Sequence, residues 1–104
     1  MKLSETPIAE VLQPQTLRFV QRNGAAISAR LQGMLPEVEA QLQTLQGEPA
    51  ATIRRRAQQA EAVWERFFWA RLGVHLLQDA RPLAQAAALA EQDLWACTAI
   101  LHPI

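Results

Sequence analysis

The chain is expected to be all-α, a small up-and-down bundle of three to four helices, on three observations. Apolar residues recur at three- and four-residue steps through most of its 104 residues, the spacing of helix faces. No segment alternates apolar and polar residues as a half-buried strand would. Proline and glycine punctuate the periodic runs, and neither an internal repeat nor a linker divides them. One domain follows, large enough for a core but not for two.

The elements read in order. Residues 1–13 form a short N-terminal segment, in which Thr6-Pro7 resembles a helix cap followed by proline at the first helical position. Pro14 restarts the chain, and Leu17, Val20, Gly24, Ile27, Leu31 and Met34 mark a helix over about 14–34. Pro36 disrupts a helix interior, so a kink or break is expected there. Val38, Leu42 and Leu45 carry the face on over 36–46, with Gly47 as its C-terminal cap. After the turn Gly47-Glu48-Pro49 comes a long central helix over 50–78, roughly 43 Å at about 1.5 Å per residue. Asp79-Ala80-Arg81-Pro82 resets the chain. A last helix over 82–101 carries the stripe Leu83, Ala87, Ala90, Leu94, Cys97 and Leu101, and His102-Pro103 ends it.

The long helix is the most informative stretch, because it is apolar on two sides. At about 100° per residue, Val63, Phe67, Ala70, Val74 and Leu77 form one stripe; Phe68, Trp69, Leu72 and Leu76 form another, turned away from it. A surface helix needs one stripe. The second must be covered by another helix, a second copy or a different protein. Arg71 and His75 lie between the two as a polar seam.

Formal net charge is zero, which argues against general electrostatic capture of nucleic acid or acidic membrane. The basic residues are nine arginines and Lys2. Arginine favours fixed planar pairings, although a GC-rich coding sequence enriches arginine and alanine equally. Arg54, Arg55 and Arg56 place positive charge at the unfavourable end of a helix dipole. That run reads first as a solvated or internally paired cluster, with Glu37, Glu39 or Glu48 as mates, and second as a contact for a protein or nucleic-acid partner. Arg18 and Arg22 share a helix face and extend the second reading.

No catalytic pattern accompanies these features. Cys97 is the single cysteine and sits on an apolar stripe, where cysteine behaves as a small hydrophobe. His75 has no lysine nearby, as a phosphorelay histidine would, and reads as the edge of a packed face. Two separated histidines, one cysteine and scattered carboxylates do not make a metal centre. Paired acid–base carboxylates, a phosphate-binding glycine loop and a nucleophile elbow are missing. The N-terminus lacks an apolar signal core, and no run reaches membrane-spanning length, so a cytoplasmic setting is expected.

These readings converge on a non-enzymatic helical protein–protein interaction module without cofactor, such as a chaperone, adaptor or assembly factor. Its contact residues are expected to be Trp69, Leu72, Leu76 and Phe68, engaging a partner or a second copy in a homodimer. The alternative is a nucleic-acid-associated regulator using Arg54, Arg55 and Arg56.

Overall fold

A helix apolar on two sides must be surrounded, and the computed structural model, which describes residues 4–97 (Cys97 by its backbone alone), puts such a helix at its centre. The elements are α1 (Ile8–Val11), α2 (Pro14–Leu31), α3 (Leu35–Gln43), α4 (Glu48–Gln59), α5 (Val63–Gly73) and α6 (Leu83–Cys97), with a π turn, Val74–Gln78, extending α5. No strand occurs among the described residues. Residues 1–3 and 98–104 lie outside them, and with these His102, Leu101 and the end of the expected last helix.

The expected central helix over 50–78 is two helices. Gln59 ends α4, Ala60 and Ala62 are extended (ψ 131° and 139°), and α5 starts at Val63. Alanine favours helix, so nothing local announces this corner; tertiary packing overrides propensity. Folding back lays the Ala50–Ile53–Ala57 face of α4 on α5. Arg56 then sits over Trp69, and Ile53 reaches Gly73. These pairs advance in opposite directions, so α4 and α5 form an antiparallel hairpin. A straight helix would have left the second stripe for something else to cover.

Helix α5 also touches α2, α3 and α6. Phe67, Phe68, Trp69, Ala70 and Leu72 are all buried, which explains apolar character around most of the circumference. Burial of each large side chain contributes about 1.5–3 kcal/mol. Gly73 has a packing reason: a Cβ there would stand 2.5 Å from Leu42 Cδ1 and 3.1 Å from Ile53 Cγ2. Its missing side chain lets α3 and α4 close on the end of α5.

The remaining boundaries follow local chemistry. Pro36 separates two helices, since α2 ends at Leu31 and α3 takes the proline into its first turn. Asn23 bends α2 (φ −119°, ψ 21°), its Nδ2 donating to the Phe19 carbonyl at 3.1 Å. Gly47 does not cap α3, which ends at Gln43; with φ 102° it instead introduces α4. Pro7 is the cap of α1 rather than its first residue. The count therefore exceeds three to four: five helices of nine residues or more and one short one among the described residues.

Candidate functional site

The residues expected to meet a partner are mostly interior. Phe68, Trp69 and Leu72 are fully buried within the single chain, and only Leu76 of the four is half-exposed. Trp69 meets Phe68 edge-on, with ring centroids 5.6 Å apart. Arg56 lies 4.5 Å from the Trp69 ring centre, and the indole N–H donates to Glu65 Oε2 at 3.4 Å. As a place for another molecule to dock, the second stripe is corrected: α4 and its neighbours already cover it.

The arginine run is likewise divided by the fold. Arg54 donates to the carbonyls of Leu45 (2.6 Å) and Leu42 (3.4 Å), placing its charge at the C-terminal end of α3, where the helix dipole favours a cation. Arg56 covers Trp69. Arg55 alone of the three is exposed. Because α4 starts at Glu48, an acid occupies its first turn and the arginines come later. Arg54 thus serves a helix end and Arg56 an indole.

The polar seam is a four-residue network. Asp93 Oδ2 accepts from Arg71 Nε and faces His75 Nε2, each at 2.8 Å. His75 Nδ1 lies 3.3 Å from Asp79 Oδ2, and the Arg71 guanidinium stands 3.4 Å from His75 Nε2. The π turn carries His75, and its end is closed by Arg81 N–H donating to the His75 carbonyl at 3.0 Å. With both ring nitrogens engaged, His75 ties α5, α6 and the 79–82 turn together. A hollow of about 270 Å³ opens beside it, lined by Met34, Val38, Phe67, Arg71, Asp93 and Ala96. Sequence spacing marked the seam, but Asp93 is 18 residues from His75 and carries no local sign of the pairing.

Two further features lie along α6. Trp95, 38% exposed, stacks on Phe19 of α2 at 4.2 Å and 17°, and its indole N–H donates to Thr16 Oγ1 at 3.0 Å. Arg22 follows Phe19 by one turn, so it projects from nearly the same side of α2. Arg18, Arg22 and Arg30 are all exposed, and no acidic residue occurs in α2. At the other end of the α2–α6 contact, Glu91 is buried and accepts the Gln13 backbone N–H at 2.7 Å. Trp95 falls off the narrow stripe read from sequence, which is the signal that could have marked it.

Among the described residues, no group of three or more His, Cys, Asp or Glu side chains could hold a metal ion. No described helix is long and apolar enough to cross a membrane. Comparison with protein families, curated proteins and solved structures returned no match.

Proposed function

We propose that the chain is a non-enzymatic helical protein–protein interaction module, of the adaptor, chaperone or assembly-factor kind, that works by self-association. The contact is assigned to the seam between α2 and α6, in place of the far side of α5. The observation that carries this reading is Trp95, 38% exposed and supported by Phe19 and Thr16, with Arg22 one turn beyond Phe19. Tryptophan and arginine are the residues that most often dominate binding energy at protein interfaces, and a preset side chain loses little freedom on contact.

Charge favours a second copy. Exposed Glu5 and Glu10 precede α2, whereas exposed Arg18, Arg22 and Arg30 lie within it. Set antiparallel across a two-fold axis, the acidic lead-in of one copy meets the basic helix of the other. Light scattering coupled to size exclusion tests this on the wild type, Trp95→Ala and Arg18→Glu/Arg22→Glu. The expected result is a dimer that both variants dissociate and that weakens with salt. A monomer at all concentrations rejects self-association, and a dimer indifferent to both variants rejects the seam.

A further inference from the structure

A second hollow lies at the other end of the α2–α6 contact, where α1 and the start of α2 meet α6. It is a partly open hollow of about 420 Å³, lined by Val11, Gln13, Leu83, Ala84, Ala87, Ala88 and Glu91, a volume typical of small-molecule sites. Aliphatic side chains form most of its wall. Small residues on α6 keep it open: Ala84, Ala87 and Ala88 replace what larger side chains would fill.

Its one charged group is Glu91, a carboxylate only 8% exposed. Among the described residues its hydrogen-bond donor is the Gln13 backbone N–H, and no cation pairs with it. That contact sits at the N-terminus of α2, where the helix dipole favours negative charge. It satisfies only part of the group, since a carboxylate has about four acceptor positions. Buried carboxylates are seldom left without a cation or several donors, and Glu91 is part of the wall of the hollow.

We infer that this hollow is a binding site for a small apolar amine: an ammonium donating to Glu91, with its hydrocarbon body against Val11, Leu83 and Ala87. A small molecule fits better than a partner helix, because the hollow is short and its charge lies at a single point. A neutral or anionic ligand of the same shape would leave the carboxylate unmatched or repel it.

The test uses hexylammonium as probe, with 1-hexanol and hexanoate as controls, followed by amide chemical shifts of the labelled full chain. Saturable shifts at Val11, Gln13, Ala84, Ala87 and Ala88 are expected for the amine, with about tenfold weaker binding of the alcohol. Glu91→Gln keeps an oxygen able to accept from Gln13 N–H but removes the charge, and should reduce the amine to the alcohol's affinity. Equal affinity of amine and alcohol, an unchanged Glu91→Gln variant, or an absence of saturable shifts at these residues overturns the inference. Should Glu91→Gln fail to fold, Ala84→Leu serves: it fills the hollow from an exposed position without touching the cap, and must abolish amine binding.

Discussion

Trp69 and Trp95 have the same side chain and nearly the same local supports, yet they end in opposite environments. Each has an aromatic partner, Phe68 for one and Phe19 for the other, and each donates its indole N–H to a side-chain oxygen. Trp69 is fully buried; Trp95 is 38% exposed. The difference lies in the helix that carries each ring. Helix α5 is touched by α2, α3, α4 and α6, and Arg56 covers the Trp69 ring. Trp95 stands on α6 beside α2, with one ring face already taken by Phe19. An aromatic side chain is therefore enclosed or left partly exposed according to how many elements surround it, not according to its own local partners.

The sharpest way to break this comparison is Trp69→Ala. It opens a cavity in the middle of the bundle, and the unfolding free energy should fall by about 3–5 kcal/mol. Urea denaturation followed by far-UV circular dichroism measures this. A loss below about 1 kcal/mol would mean that Trp69 is no core residue and would return the second stripe to the surface.

Asp93→Ala probes the polar counterpart of that core. It removes the common acceptor of Arg71 and His75, whose side chains are 24% and 11% exposed. A loss of about 1–3 kcal/mol is expected, and Asp93→Asn should recover part of it by keeping an acceptor oxygen. Equal losses for the two variants would show that the network does not hold α6 to α5.

Much of this architecture is legible in the sequence. Period-3.6 spacing gave the helical class, and Pro14, Pro36 and Pro82 lie at or near real boundaries because proline acts locally on the backbone. The corner at Ala60–Ala62 could not be read. Its residues favour helix, and the gain from folding back depends on contacts between Ile53, Arg56, Trp69 and Gly73 that do not exist until the hairpin closes. The same reason hides the cover of Trp69 and Leu72: their spacing shows that they need one, and it comes in part from within the expected long helix. The Trp95–Phe19 stack could not be read either, since the two rings are 76 positions apart and no short-range pattern connects them. His75 lies at the edge of a packed face, as its spacing implies, while its carboxylates, Asp79 and Asp93, come from the end of the π turn and from α6.

Glycine offers a matched pair for the covered helix. A Cβ at Gly73 meets Leu42 and Ile53, whereas one at Gly33 meets nothing within 4 Å. Crowding of this kind costs about 1–3 kcal/mol, against about 1 kcal/mol of better helix propensity. Gly73→Ala should therefore lose about 1 kcal/mol net, and Gly33→Ala should be near neutral. Thermal unfolding of the two variants side by side checks this, and equal midpoints would show that α3 and α4 do not close on α5 as tightly as the Gly73 contacts require.

Trp95→Ala should affect folding far less than Trp69→Ala, and for that reason it separates the two tryptophans best. The variant loses one stacked pair, worth about 0.5–1.5 kcal/mol, and the bond from its indole to Thr16. No enclosed cavity forms, because solvent already reaches the ring. Stability should fall by about 1 kcal/mol in urea, so the protein stays folded at concentrations where association is measured. Any change in mass then reports on the contact and not on unfolding, a separation that Trp69→Ala cannot provide. If Trp95→Ala were as destabilising as Trp69→Ala, the ring would belong to the core despite its exposure, and the seam would lose its claim to be a contact surface. If folding is preserved and the dimer dissociates, the two tryptophans divide the labour: one is enclosed among five helices, and the other, partly exposed, meets a second copy.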